Sequence, residues 1–242
     1  MLYCQGEKTL KNGSTHNKKQ KFKCKQCGKQ FVAHPTKKYI SDSEQTKILI
    51  ARLLLEKISL AGMARSVGVS PCWLQKYVNN KYAQTPRQVK VSPKTKGKLA
   101  IECDELWSFV EKKITNTLVW LAIDRKTREI VGVYIGDRTP QAAQKLWEPL
   151  APVYRQCAVC YTDFWAAYEK VIASTRHKPV DKGRGETNHI ERFNNTLRQR
   201  VSRLVRRTLS FSKKLENQIG AIWYFITIMN VELNNFFITT YL

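Results

Sequence analysis

The stretch LAIECDELWSFV (residues 99–110), followed by TLVWLAID (117–124) and EIVGVYIG (129–136), decides the fold of this chain. Each run is short, rich in aliphatic and aromatic side chains and bounded by polar residues, the pattern of a buried strand. The second and third are joined across Arg125 to Arg128 and read as a hairpin, so three consecutive strands form a meander. One residue is out of place in the first run. Asp104 is flanked by Ile101, Cys103, Leu106 and Trp107, where an unpaired charge is costly, and strand interiors rarely contain Asp.

Downstream, Thr139 caps a helix that has Pro140 at its first position and runs through Leu150. CAVCYTD (157–163) is a short apolar strand ending on Asp163, and FWAAYEKVI follows as a helix. A fifth strand is expected near 176–181, before Gly183 and Gly185 break the chain. A long helix then spans about Glu186 to Val205. Along it Ile190, Phe193, Leu197, Val201 and Leu204 repeat at helical spacing as a core stripe, with Asn188, Glu191, Asn195 and Arg198 on the neighbouring polar face. The order predicts a mixed α/β sheet with a three-strand antiparallel edge and flanking helices.

The chain has 242 residues and a net charge of +23, and its first 100 residues hold 21 Lys and Arg against 4 Asp and Glu. Such a field attracts polyanions, nucleic acid first and an anionic membrane surface second, and makes binding salt dependent. No apolar run approaches the roughly 20 residues of a membrane helix. The N-terminus has no apolar core behind a basic start, so a cytoplasmic, nucleoid-associated protein is expected. Composition divides the chain into a basic, Cys-containing module (1–40), a helical module (41–81), a basic linker (82–97) with Pro86, Pro93 and Gly97, and the larger domain (98–242).

Cys24-Lys-Gln-Cys27 followed by Gly28 is half of a zinc knuckle, with Cys4 upstream and His16 as a fourth ligand; the alternative is a basic loop with thiols. Zinc would hold together a segment poor in aliphatic side chains. Residues 59–78 have the layout of a helix-turn-helix: Ala64 permits close crossing, Gly68 a sharp turn, and Ser70-Pro71 starts the second helix. That helix would present Cys72, Gln75 and Lys76 to a DNA groove, the alternative being an ordinary helical hairpin.

Asp104 on a central strand, Asp163 at the end of another and Glu191 early on the long helix can converge at one sheet edge. Magnesium or manganese takes hard oxygen ligands and leaves positions for phosphate oxygens, and paired ions serve in-line displacement. Taken singly, Asp163 reads as a helix cap and Glu191 as a dipole partner. Asp124, at the end of the second strand, is the rival third acid.

The run from KNG (11–13) through KFKCKQCGKQF (21–31), ECDELWSFV, YTDFWAAY, TNHIERFNNTLRQRVSRLVRRTLSFSK (187–213) and IGAIWYFI resembles transposases of the IS-one family of bacterial insertion sequences, over nearly the whole chain. The resemblance implies a zinc-ribbon-like N-terminus, a helix-turn-helix for the terminal inverted repeats, and a ribonuclease-H-like catalytic domain. Its Asp, Asp, Glu triad falls on Asp104, Asp163 and Glu191. It implies a DNA transposase that cleaves its element's ends with Mg²⁺ or Mn²⁺ and joins the 3′ ends to target DNA, as a homo-oligomer on DNA and without a membrane. Arg192, Arg198, Arg200, Arg203, Arg206 and Arg207 would form a phosphate track along the long helix. Two departures stand out: the first Cys of the family's first pair falls on Met1, and the tail NVELNNFFITTYL leaves the pattern. The other readings are a non-catalytic DNA-binding regulator of the element and a host-directed nuclease on the same fold.

Overall fold

The computed structural model describes residues 7–16, 18–32, 43–95, 97–109, 116–163, 166–181, 185–204 and 214–241, and the chain falls into two units, residues 1–41 and 42–242. In the first, β1 (Thr9–Ser14), β2 (Gln20–Cys24) and β3 (Gln30–Val32) form an antiparallel sheet in that order. Phe22 and Phe31 stack across it with centroids 6.0 Å apart. The β2–β3 turn carries both cysteines of the CxxC pair, Cys24 buried and Cys27 exposed, and closes at Gly28, whose φ of 68° favours glycine.

The second unit begins with three helices, α1 (Glu44–Leu53), α2 (Leu60–Val67) and α3 (Pro71–Gln84). Ser43 and Ser59 cap the first two through Thr46 N and Gly62 N, each satisfying an otherwise orphaned donor. Gly68 ends α2 in the left-handed region at φ 74°, and Pro71 opens α3, so the turn forms where its residues predict it.

A five-stranded sheet follows, made of β4 (Ala100–Phe109), β5 (Asn116–Asp124), β6 (Ile130–Gly136), β7 (Val159–Thr162) and β8 (His177–Pro179). Its order is β6-β5-β4-β7-β8. The first three strands pair antiparallel as the expected meander, while β7 and β8 add in parallel to β4. Alternation on β5 builds two cores. Leu118, Trp120 and Ala122 face α4 (Pro140–Trp147), α5 (Pro152–Cys157) and α6 (Ala166–Glu169), with Leu146, Tyr154 and Tyr168. Val119, Leu121 and Ile123 belong to the opposite core with α7 (Asn188–Arg200) and α8 (Leu215–Tyr241).

Residues of α1–α3 join that second core, so these three helices pack with the sheet domain. A close approach is at Gly220 of α8, where a Cβ would lie 2.5 Å from Tyr82 Cβ and 3.1 Å from its carbonyl oxygen. The helix expected over 186–205 is shorter. It ends at Arg200, Val201 turns extended, and a 3-10 turn (Ser202–Leu204) follows, which keeps both Val201 and Leu204 buried. α5 and α8 are additions to the elements read from sequence. Among the described residues no helix is long and apolar enough to cross a membrane.

Candidate active site

On adjacent parallel strands Glu102 of β4 lies opposite Tyr161 of β7, and two residues further along come Asp104 and Asp163. Carboxylate oxygens of Asp104, Asp163 and Glu105 all lie within 4.8 Å of one another, the one group of potential metal ligands of this kind among the described residues. Two of the three acids expected from the sequence therefore meet. The third member, Glu105, was missed. Neighbours on a strand face opposite ways, so nothing in ECDELW marks both acids as members of one cluster; the pairing of β4 with β7 does.

The cluster concentrates negative charge. Burial pushes the Glu105 carboxyl from its ordinary 4.5 up to about 7; a Tyr168 hydrogen bond and Arg138 oppose this, and the Asp163 and Asp104 charges add to it. Glu105 Oε1 is buried without a hydrogen-bond partner. Tyr168 titrates well above its ordinary value, from burial first and then the Glu105 charge. An all-oxygen donor set with an unpartnered buried oxygen fits a hard divalent cation such as Mg²⁺ or Mn²⁺.

Two contacts attach α7 to β4 beside this cluster. Glu102, fully buried, accepts the backbone N–H groups of His189 (2.9 Å) and Ile190 (3.0 Å) and pairs with Arg125 at 2.9 Å. Asn194, 4% exposed, donates to Asp104 Oδ2 at 2.8 Å and leaves its own Oδ1 buried without a partner. Glu191 lies between these two attachments, half-buried beside a groove lined by Asn188, Arg192 and Asn195, and its carboxylate accepts the Thr187 hydroxyl at 2.9 Å. Glu191 is not within the 4.8 Å group; the α7 side chain that touches Asp104 is Asn194. No property of Asn194 in the sequence separates it from the other asparagines of that helix.

Asp124 is in a different setting. It is 2% exposed and accepts the backbone N–H groups of Lys126 (2.8 Å) and Thr127 (3.0 Å) and the Tyr154 hydroxyl (2.7 Å). Beside it the fully buried Glu129 takes Lys94 at 2.5 Å, Thr127 at 2.9 Å and both the backbone N–H and the hydroxyl of Ser92. Burial alone would raise Glu129, but these bonds outweigh it and hold the carboxyl below its ordinary value.

The other expected site residues are dispersed. Cys72, Gln75 and Lys76 are exposed on α3, with Gln75 donating to Asn79 at 2.9 Å. Arg192 and Arg198 are exposed on α7. Arg200 bonds the Leu55 carbonyl and the Glu56 carboxylate, both at 3.0 Å, and lies over the Phe225 ring; Arg203 lies over Tyr82. Arg206 and Arg207 fall outside the described residues. So does Cys4, and of the remaining zinc-ligand candidates His16 is exposed and Cys24 and Cys27 share one turn.

A mixed five-stranded sheet with acids on its two adjacent central parallel strands is the architecture of a ribonuclease-H-like, DDE-type domain. Residues 98–232 match the model of the IS1 transposase family, and the chain belongs to that family. It is 34% identical over 128 residues to the insertion element iso-IS1n protein InsB of Shigella dysenteriae, covering 53% of this chain and 94% of that protein. The insertion element IS1 protein InsB of Shigella flexneri is 32% identical over 131 residues, covering 54% and 96%. For the insertion element IS1 4 protein InsB of Escherichia coli K12 the values are 29% over 143 residues, 59% and 83%.

Proposed function

We propose that this transposase binds the terminal inverted repeats of its insertion sequence, hydrolyses the phosphodiester at each end and joins the freed 3′ hydroxyl to target DNA. The observation that carries the reading is the convergence of the Asp104, Glu105 and Asp163 carboxylates within 4.8 Å on neighbouring strands. Magnesium or manganese, when bound, supplies positive charge to the attacking and leaving oxygens of an in-line displacement. Asp104 and Asp163 are the residues that would hold it, with Glu105 beside them and Glu191 as the third acid of the triad.

Asn194 restrains one oxygen of Asp104, and Glu102 fixes the first turn of α7, so Glu191 sits on a helix whose register against β4 is set at two points. Arg192 and Arg198 on the exposed face of α7 are placed to contact phosphates, whereas Arg200 and Arg203 also carry packing contacts within the protein. Gln75 and Lys76 project from α3 in the helix-turn-helix reading, Gln75 toward bases and Lys76 toward phosphate. Cys24 and Cys27, with Cys4 and His16, would hold zinc in the first unit. The protein works as a homo-oligomer on DNA in this reading.

Magnesium-dependent nicking of end-containing duplex tests it. Asp104→Asn, Asp163→Asn and Glu191→Gln should each abolish cutting while leaving the footprint on the ends. An intact footprint with no cutting by the unmodified chain would instead favour a DNA-binding regulator.

A further inference from the structure

Beyond the acids, β4 carries one large aromatic side chain that is exposed near the strand's end. Ile101 and Cys103 lie on one face of the strand with at most 1% exposure, Glu105 follows on that face, and Trp107, two residues and about 7 Å further on, is 41% exposed. A tryptophan that follows two buried residues on one strand face ordinarily contributes much of its area to a core, and Trp107 lies two residues before the end of β4. Its cross-strand neighbour Leu118 is 1% exposed, so the sheet beneath the ring is packed while much of the ring stays open.

The ring is not isolated. The Arg138 guanidinium, from the segment joining β6 to α4, lies over it at 5.8 Å from the centroid. Glu105 interacts electrostatically with both Arg138 and Asp163, which places the Trp107–Arg138 pair at the margin of the acid cluster rather than on a remote surface. A half-exposed indole, a cation that can swing from it and a neighbouring site read as cutting phosphodiesters together match one ligand chemistry: a nucleobase that has left the duplex stack, still attached to its phosphate.

We infer that Trp107 and Arg138 form a stacking site for an unpaired nucleobase of the strand being cut, next to the phosphate held at Asp104 and Asp163. The inference rests on the DNA-cutting reading above. Trp107 takes the face of the base, and Arg138 supports the ring and reaches the adjoining phosphate. Unstacking a base from the duplex is unfavourable, and the exposed ring offsets that loss at the position where the backbone must enter the acid cluster.

Binding rather than cutting is the direct test, because it separates this site from the catalytic assignment. End-containing duplexes are prepared with a single mismatched base, walked through the nucleotides around the cleavage position, and matched duplexes carry an abasic residue at the same places. Trp107→Ala should weaken binding of the mismatched duplex at one position by about 5- to 150-fold, the range a base–aromatic stack accounts for, and leave the abasic duplex unchanged. Trp107→Phe should retain most of the affinity. Arg138→Ala should weaken both duplexes, since its phosphate contact does not need the base. Equal binding by the unmodified chain and Trp107→Ala at every position would overturn the inference, as would an equal loss on mismatched and abasic DNA in a variant whose circular dichroism is unchanged. Absence of cutting by the unmodified chain, with the base-dependent difference intact, would defeat the transposase mechanism and leave the stacking site standing.

Discussion

Asp124 and Glu129, where β5 turns into β6, and Asp104, Glu105 and Asp163, on β4 and after β7, are two acidic groups on one sheet with opposite electrostatics. The first has a cation, hydroxyls and backbone donors for its carboxylates, with Lys94 2.5 Å from Glu129 and 3.9 Å from Asp124. The second draws three carboxylates within 4.8 Å of one another and leaves Glu105 Oε1 buried without a partner. The first group is neutralised from within the protein, whereas the second gathers three acids and is, in the reading proposed above, the place for a divalent ion. The satisfied group anchors the 88–95 segment to the β5–β6 hairpin through Ser92 and Lys94. The Asp104, Glu105 and Asp163 group is the one proposed to do the chemistry.

Substitutions that cross the two groups should separate them. The largest effect is expected on cutting. Asp104→Asn or Asp163→Asn should lower metal-dependent cleavage by about 10³-fold or more, as loss of several kcal/mol of charge stabilisation requires. Single-turnover kinetics on a pre-bound end would measure it, and neither change should lower thermal stability. Next comes Lys94→Met. It leaves Asp124 and Glu129 buried without their cation and should cost about 3 to 5 kcal/mol of stability, read by denaturant unfolding. Because Glu129 titrates below its ordinary value when folded, its contribution is present above that value and is lost as pH falls through the folded pKa. The Lys94→Met defect should therefore shrink in acid.

Glu105 has the opposite sign. Its folded pKa of about 7 lies above the ordinary 4.5, so its contribution to stability is full below 4.5 and is lost as pH rises through 7. Glu105→Gln should make the metal-free chain more stable at pH 8, on the order of 2 to 3 kcal/mol, and make no difference at pH 4. Unfolding curves at the two pH values would check it, and equal curves at pH 8 would mean that Glu105 is already compensated. The smallest effect belongs to Tyr154→Phe, which removes one bond to Asp124 and should cost roughly 1 kcal/mol with no change in cutting.

Much of this arrangement is legible before the fold is known. The meander is readable because LAIECDELWSFV, TLVWLAID and EIVGVYIG are apolar runs with turn residues between them, and Asp104 stands out because it interrupts one of them. Asp163 is readable as the end of CAVCYTD. The rest depends on register. Glu105 joins the cluster only once β7 is laid parallel to β4, and Asn194 becomes distinct from Asn188 and Asn195 only when α7 is rotated so that Ile190 and Leu197 face the sheet. Asp124 and Asp104 look alike in sequence, both being acids of apolar strands. Lys94, 30 residues before Asp124, and Tyr154, 30 after it, tell them apart, and neither can be assigned to Asp124 from spacing alone. α8 follows no polar–apolar alternation sharp enough to set its limits.

The central claim is that the Asp104, Glu105 and Asp163 group, and not the Asp124 and Glu129 group, binds the divalent ion. Manganese binding to the folded full-length chain, followed by electron paramagnetic resonance in the absence of DNA, tests it most directly across Asp104→Asn, Asp163→Asn and Asp124→Asn. The first two should lose affinity by ~10-fold or more, while Asp124→Asn stays within about twofold of the unmodified chain. Loss of binding in Asp124→Asn with Asp104→Asn unaffected would contradict the account.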